Sequence, residues 1–306
     1  MLIGKKLERL YVCNNGLASE TSVLLSQILQ QDGVPPLKLL HFFNNMSGDD
    51  GAVAVGDIIK ACSTLEDLRF SGTRSQKRGC LAAANAINSL TTLTKLDLAD
   101  NMFKEDAGEI LASALGKQIN LIHLNLRDAG LGTDNTDLVL KAMKNSSYCS
   151  ILKFLDLSGN DIDPDVAESL SSTLSIFQSL EELYLDDNEM GTDGITSISK
   201  NIKKLPKLIT FSACTNEITA AGAYLLTKAV IKMEAFLTLK LDGNEINERG
   251  VQEIKGLLGR NGKVLTDMED NDDEGDDDLD DVLEEDNGEE EEDDLDLIND
   301  MEKAKI

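Results

Sequence analysis

Two adjacent asparagines, Asn14 and Asn15, follow a short stretch in which apolar residues alternate with others, from Leu10 to Val12. An amide side chain carries both a donor and an acceptor, so it can satisfy backbone groups or brace another amide. Alternation with period two predicts a strand whose apolar side chains point inward. Asn14 is then expected at the carboxyl end of that strand, with its side chain on the exposed rim.

A second group of residues that could do chemistry is basic. Five side chains are expected on one rim: Arg74, Lys77 and Arg78 in the predicted loop TRSQKRG (73–79), Lys104 in the next loop and Arg127 on the following strand. They form either a solvated basic patch or a docking edge for an acidic protein surface, which would be steered electrostatically.

The remaining candidate residues do not form an active site. His41 and His123 lie far apart in the chain, and each is expected on the surface of a strand. The sequence contains no Gly-x-x-x-x-Gly-Lys-Ser/Thr phosphate loop, no recognisable Ser/His/Asp set and no metal-ligand spacing. We therefore expect a chain that is not itself an enzyme and that holds no metal and no cofactor.

The elements that position these residues come from an internal repeat. The pattern L-x-x-L-x-L-x-x-N-x-L, in strong or weak form, recurs at spacings of 28 to 31 residues. Its asparagine position falls at Asn15, Asn45, Thr73, Asn101, Ala129, Asn160, Asn188, Asn216 and Asn244. Such an asparagine is expected in a buried ladder, where its amide satisfies backbone groups. Asn15 then serves the fold.

Each repeat combines a strand with a helix. The L-x-L part alternates with period two, and the later part, as in AGEILASALGK, has apolar residues at helical spacing. One strand and one helix cannot bury their own apolar faces, but stacked neighbours can. The sequence predicts an α/β leucine-rich-repeat solenoid, a horseshoe with a concave parallel sheet and convex helices, over residues 1–264.

The charge of the chain is concentrated at its end. The formal net charge is −27, and the segment from Asp267 to Ile306 contains 23 acidic residues against two lysines. We expect residues 265–306 to form a disordered acidic tail, because so polar a segment cannot bury enough surface to fold. Such a charge argues against nucleic acid and anionic membranes as partners and favours basic protein surfaces.

Part of the tail imitates a calcium-binding loop. Asp270, Asp272, Glu274 and Gly275 match the start of such a loop, but its twelfth position is Asp281, where glutamate is expected. We therefore expect no calcium site.

Cysteine usage bears on the location of the protein. Five widely spaced cysteines indicate free thiols in a reducing compartment: Cys13, Cys62, Cys80, Cys149 and Cys214. The N-terminal residues show no signal peptide, and no apolar run is long enough to cross a bilayer. We expect a cytoplasmic protein that does not insert into membranes.

The repeat array followed by an acidic tail resembles the RanGAP family, the GTPase-activating proteins of the nuclear-transport GTPase Ran. The segment LYVCNNGLA (10–18) is similar to the family's L-Y-L-x-N-x-G segment. FNNMSGDDGA, LDLADNMFKEDAG and KKLPKLITFSACTNEITAAGA resemble the plant branch. The resemblance covers essentially the whole chain.

The resemblance implies GTPase activation without an arginine finger, the group that other activators supply for a gain of about 10³- to 10⁵-fold. In the family, a rim asparagine helps to orient Ran's own catalytic glutamine, and the matching residue here is Asn14. Contacts with GTP-bound Ran are expected at rim residues of the early repeats: Tyr11, Cys13, Asn44, Arg74, Lys77, Arg78, Asp100, Lys104 and Arg127. Ran-binding proteins or karyopherins are further candidate partners.

Two features of the family have no counterpart in this sequence. Family members carry further repeats before the matching segment, with a functionally important arginine on one of their loops, whereas Met1 lies six residues before the first repeat leucine. Plant members carry a targeting domain with a Trp-Pro-Pro motif, and this chain has no tryptophan. A place at the nuclear periphery would therefore depend on partners.

Three functions stay open. The first is a Ran-directed GTPase activator that uses Asn14 and the rim of the early repeats. The second is a non-catalytic interaction scaffold, a truncated or inactive paralogue that binds on the same rim. The third is an acidic protein similar to the acidic leucine-rich nuclear phosphoproteins, whose shorter repeats of about 24 residues argue against it.

Overall fold

The computed structural model describes residues 6–31, 33, 35–266, 268–271, 279–280 and 282–283, and there strands alternate with helices. The strands are β1 (Arg9–Cys13), β2 (Leu39–Phe43), β3 (Asp67–Ser71), β4 (Lys95–Asp97), β5 (His123–Asn125), β6 (Phe154–Asp156), β7 (Glu182–Tyr184), β8 (Thr210–Ser212), β9 (Thr238–Lys240) and β10 (Val264–Leu265). The helices are α1 (Ser19–Gln31), α2 (Gly48–Ala61), α3 (Lys77–Ile87), α4 (Asp106–Gly116), α5 (Gly132–Lys144), α6 (Pro164–Thr173), α7 (Gly191–Asn201), α8 (Ala220–Ile231) and α9 (Glu248–Arg260). Short 3-10 helices follow α5, α6 and α7, at Ser147–Ser150, Leu174–Ile176 and Ile202–Lys204.

All these strands are parallel and form one sheet, in chain order from β1 to β10. The repeat leucines are in register, so that Leu10 pairs with Leu40 and Leu68 pairs with Leu96. Each helix returns the chain to the start of the next parallel strand and packs on the helices beside it. The structure confirms the predicted α/β leucine-rich-repeat solenoid, and adds the short strand β10 that the repeat pattern did not predict.

The core lies between the sheet and the helices. Leu68 and Leu124 in strands, and Leu111 and Leu170 in helices, are completely buried. Each such side chain contributes roughly 1.5–3 kcal/mol relative to an exposed one. The same contacts recur in each repeat, so stability is distributed along the solenoid.

Glycine near the start of several helices allows neighbouring helices to approach. A Cβ atom added at Gly79 in α3 would lie 2.7 Å from the Cβ of Ala52 in α2. A Cβ atom at Gly250 in α9 would lie 2.7 Å from the Cβ of Ala220 in α8. Both distances are too short for carbon atoms, so the helices pack this closely only with glycine.

The predicted asparagine ladder is present from Asn45 onward, and each of its buried asparagines donates to a carbonyl oxygen of the repeat before it. Asn160 is completely buried, and its Nδ2 donates to the carbonyl oxygen of Leu126 at 2.7 Å. Its Oδ1 accepts from the backbone N–H of Leu131. At Thr73 the hydroxyl donates to Oδ1 of Asn101 at 2.8 Å, so threonine continues the ladder.

The first repeat departs from this pattern. Asn15 is exposed, and its side chain has no hydrogen-bond partner in the described part of the chain. Ile28 is 57% exposed, whereas its equivalent Ile58 is 2% exposed. The prediction that Asn15 belongs to the buried ladder is wrong. A buried ladder side chain also bonds to the repeat before its own, as Asn160 does to Leu126, and β1 is the edge of the described sheet.

The other end of the sheet continues past the predicted domain boundary. That boundary, between residues 264 and 265, falls inside β10, which pairs with β9. Oδ1 of Asn271 accepts from the backbone N–H of Asn244 at 3.0 Å, which extends the ladder, and Leu279 is completely buried. Most of the predicted disordered tail, residues 284–306, and most of the incomplete calcium loop lie outside the described residues.

Candidate functional site

The residue before each ladder position has a left-handed backbone. The φ angle is positive, between 48° and 71°, at Asn14, Asn44, Gly72, Asp100, Asp128, Gly159, Asp187, Thr215 and Gly243. Glycine, asparagine and aspartate tolerate this conformation best. Asn14, with φ of 57°, therefore has a structural role at the strand end as well as its predicted chemical role.

Asn14 and Asn44 lie side by side on the rim, because β1 and β2 end together, with Cys13 opposite Phe43. Both asparagines are exposed, and Nδ2 of Asn44 donates to Oδ1 of Asn14 at 2.6 Å. No other described residue bonds to the side-chain amide of Asn14. Its NH₂ group is therefore free to donate to a partner.

Tyr11 and Cys13, two predicted contact residues, lie on β1. Tyr11 is 55% exposed and packs edge-to-face on His41, with ring centroids 5.2 Å apart. Nε2 of His41 lies 2.9 Å from Oδ1 of Asp67. The Cys13 thiol donates to the carbonyl oxygen of His41, and burial raises its pKa. Tyr11 thus offers exposed ring surface, and Cys13 a neutral thiol at neutral pH.

Two of the five predicted basic residues are neutralised within the chain. The loop predicted for residues 73–79 ends where α3 begins, so Lys77 and Arg78 belong to the first helical turn. Lys77 forms an ion pair with Glu105, and Arg78 forms one with Asp50. The hydrogen bonds to these carboxylates raise the pKa of both basic groups. Neither cation is free for a partner unless it leaves its own carboxylate.

Arg127 is also paired. It follows β5 instead of lying within it, and its guanidinium is 3.2 Å from Oδ2 of Asp128 and 3.3 Å from Oδ2 of Asp187. These contacts reach across two repeats, because Asp187 is two rim positions beyond Asp128. Arg127 therefore acts within an acidic part of the rim.

Arg74 and Lys104 keep their charges unpaired. Both are exposed, and neither forms an ion pair with any described residue. Arg74 has a φ of 55°, which is uncommon for a long side chain. Lys104 lines a shallow cavity of about 260 Å³ together with Lys77 and Glu105. These two cations are the part of the predicted basic edge that can meet an acidic partner directly.

The rim changes character along the solenoid. Its left-handed positions carry neutral amides at Asn14 and Asn44, and then carboxylates at Asp100, Asp128 and Asp187. Asp100, another predicted contact residue, is exposed at the start of the acidic part. The structure thus groups Tyr11, Asn14 and Asn44 at the β1 end of the rim, whereas the paired Arg127 lies in the acidic part.

Two arrangements on the sheet face were not predicted from the sequence. The Arg69 guanidinium lies 3.8 Å from the ring centroid of Phe43, and its Nε is 3.1 Å from Oδ2 of Asp97. Further along, His123 stacks on Phe154 at 4.1 Å, and burial lowers the pKa of His123. Because the sheet is in register, residues about one repeat apart in sequence become neighbours. That spacing in the sequence could have predicted both the contacts of Arg69 and the stacking of His123.

A metal centre is not formed by the residues that the structure describes. They contain no cluster of three or more histidine, cysteine or acidic side chains arranged to hold a metal ion. No helix among them has the length and apolar character to cross a membrane.

The fold defines this chain as a leucine-rich-repeat solenoid. Two segments, residues 148–171 and 178–199, match the family model described as Leucine Rich repeat. No curated protein sequence matches the chain.

Two solved structures are similar at low sequence identity. The actin-binding site 2 of leiomodin-1 is 17% identical, with 53% of this chain and 91% of that chain covered and a TM-score of 0.39. A protein from Bacteroides fragilis is 15% identical, with 87% of this chain and 75% of that chain covered and a TM-score of 0.49.

Proposed function

We propose that this chain is a GTPase activator for Ran that acts in trans on the GTP-bound form. The observation that carries the proposal is Asn14, whose exposed amide has a free NH₂ group in the segment LYVCNNGLA. The chain supplies no active site of its own, and the hydrolysing enzyme is the partner.

The proposed mechanism uses one amide to orient another. In GTPases of this kind, a glutamine of the GTPase positions the attacking water. The Asn14 NH₂ group donates to the side-chain oxygen of that glutamine and holds it in the productive rotamer. Arg74 and Lys104 supply free positive charge for an acidic surface of the partner, and Tyr11 supplies apolar contact.

A non-catalytic interaction scaffold is the second candidate. It is favoured by the left-handed backbone of Asn14, because asparagine suits that turn without any catalytic reason. Such a scaffold would bind Ran or another partner on the same rim without accelerating hydrolysis.

The test is single-turnover hydrolysis of Ran-bound GTP, with binding to Ran measured in parallel. We expect strong acceleration by the wild-type chain and a loss of about 10²- to 10³-fold in the Asn14→Gly variant, comparable to removal of one preorganised catalytic donor. Glycine suits the left-handed turn, as at Gly72, so the variant should keep its fold. Binding without acceleration by a folded wild-type chain would establish the scaffold instead.

A further inference from the structure

An apolar stripe lies at the amino ends of the last three strands. Ile209, Leu237 and Val264 occupy the same place in successive repeats, and their side chains are 39%, 47% and 49% exposed. The backbone N–H of Leu237 donates to the carbonyl oxygen of Ile209 at 2.9 Å, and that of Val264 donates to Leu237 at 2.8 Å. Because neighbouring strands lie about 4.8 Å apart, the three side chains are adjacent.

The same place in the other described repeats is mostly polar. It carries Glu8, Lys38, Glu66, Thr94, Ile122, Lys153 and Glu181. Single exposed apolar residues are ordinary on a protein surface. Three in a row, where the earlier repeats mostly have charged or hydroxyl side chains, form a small apolar patch that the repeat itself does not require.

Positive charge borders this apolar stripe. The segment before Ile209, residues 200–208, contains no acidic residue and four lysines, the lysine cluster: Lys200, Lys203, Lys204 and Lys207. All four are exposed, and none forms an ion pair with a described residue. Glu181, the member of the row next to Ile209, is held by Lys153 at 2.8 Å. The lysine cluster is therefore free to meet carboxylates from elsewhere.

One segment of this chain has the complementary composition. Residues 293–298, with the sequence Asp-Asp-Leu-Asp-Leu-Ile, combine carboxylates with apolar side chains, and they lie outside the described residues. The apolar side chains match the stripe, and the carboxylates match the lysine cluster in charge. Opposite charges at such an edge favour encounter and fix which surface is chosen.

The connection to this segment is long enough. Arg249, in the first turn of α9, bonds to Asp280, so the last described residues lie beside the start of α9. That helix has 13 residues, a length of about 20 Å, and it ends at Arg260, shortly before Val264 of the stripe. Residues 284–292 can span up to about 30 Å. Residues 293–298 can therefore reach the amino ends of the strands.

The size of the stripe favours a tethered occupant over a second molecule. A stable interface between proteins buries about 800 Å² on each partner, far more than three half-exposed side chains supply. A segment of the same molecule needs less intrinsic affinity, because a short connection gives it an effective concentration on the order of 1 mM.

We propose that residues 293–298 dock on the apolar stripe of their own chain. Leu295, Leu297 and Ile298 cover the stripe, and the carboxylates beside them face the lysine cluster. This contact is separate from the rim that carries Asn14, and it does not depend on Ran.

Methyl NMR of the full chain tests the contact directly. We expect nuclear Overhauser effects between the methyl groups of residues 295–298 and those of Ile209 and Leu237. Leu297→Ser should shift the methyl signals of the stripe, because it removes one of the covering side chains. The methyl signals of Leu24 and Ile28, which are also exposed but lie in the first repeat, should stay unchanged in that variant.

Two matched charge variants locate the surface that is used. Lys204→Gln combined with Lys207→Gln removes two charges from the lysine cluster, and Arg74→Gln combined with Lys104→Gln removes two free charges from the opposite rim. Each exposed charge pair corresponds to a factor of roughly 1.5 to 5 in an equilibrium constant. The first variant should therefore weaken docking roughly 2- to 25-fold, and the second should leave it unchanged.

Three results would overturn the proposal. The first is the absence of Overhauser effects together with unchanged stripe signals in Leu297→Ser, which would mean that this segment does not cover the stripe. The second is equal weakening by both charge variants, which would mean unspecific attraction to any basic surface. The third is a docked fraction that rises with protein concentration, which would mean that the segment binds a second copy.

Discussion

The first and sixth repeats carry the same ladder residue in two different environments. Asn160 is completely buried and donates to three carbonyl oxygens, those of Leu126, Leu157 and Ser158. Asn15 occupies the same place in its repeat, yet it is exposed and makes no side-chain hydrogen bond within the described residues. The difference arises because the preceding repeat supplies part of the hydrogen bonds and of the burial of a ladder side chain. The repeat pattern alone therefore does not show how much a ladder asparagine contributes to stability.

The apolar residues of the two repeats differ in the same way. Leu170 in α6 is completely buried, whereas Leu25, at the equivalent place in α1, is only partly buried. The first repeat therefore contributes less to stability than an internal one.

The largest expected effect on stability comes from the leucine pair. Leu170→Ala should lower the free energy of unfolding by about 3–5 kcal/mol, because it removes buried apolar surface and leaves a cavity. Leu25→Ala should cost about half as much or less, since its side chain is already partly in water. Urea unfolding followed by circular dichroism measures both, and equal losses would contradict the proposed difference between the repeats.

The asparagine pair should give the next largest effect. Asn160→Ala should lower the free energy of unfolding by about 1–3 kcal/mol, because the backbone N–H of Leu131 loses its acceptor and three carbonyl groups each lose one of their donors. Asn15→Ala should change it by less than about 0.5 kcal/mol, as for an ordinary surface substitution. The same unfolding experiment compares them, and a large loss in Asn15→Ala would show that Asn15 is a buried ladder residue after all.

A smaller effect should separate free from paired cations on the early rim. Arg74→Gln and Lys77→Gln each remove one positive charge, so each should slow association with Ran by roughly twofold, and more at low salt. Dissociation should become faster in Arg74→Gln alone, because Lys77 is held by Glu105. Stopped-flow association and dissociation rates test this, and faster dissociation in both variants would mean that Lys77 leaves its carboxylate in the complex.

Much of the fold could be predicted from the sequence, because each repeat has the same arrangement of apolar residues and a polar ladder position. The alternation around Leu96 and Leu124 predicted parallel strands, and the recurring asparagine predicted the ladder. The exposure of Asn15 could not be predicted, because it depends on which residues precede β1 in space. The strand β10 has no complete repeat pattern and was missed for that reason.

The candidate site was only partly predictable. The position of Asn14 at the rim followed from the strand end, but its left-handed backbone required the structure. The pairing of Lys77 with Glu105 and of Arg78 with Asp50 was missed, although each pair is 28 residues apart, one repeat period. In a solenoid, residues one repeat period apart in sequence are neighbours in space. A search for opposite charges at that spacing would therefore have predicted that most of the basic edge is neutralised.

The most direct test of the central claim is the single-turnover rate of GTP hydrolysis on Ran, with Asn14→Gly compared with Thr215→Gly. Both substitutions place glycine at the same left-handed turn, one on the proposed contact rim and one in the eighth repeat. The proposed mechanism predicts strong stimulation by the wild-type chain and by Thr215→Gly, and a loss of about 10²- to 10³-fold in Asn14→Gly alone. Equal stimulation by both variants, or none by the wild-type chain, would contradict the role of Asn14 in GTPase activation.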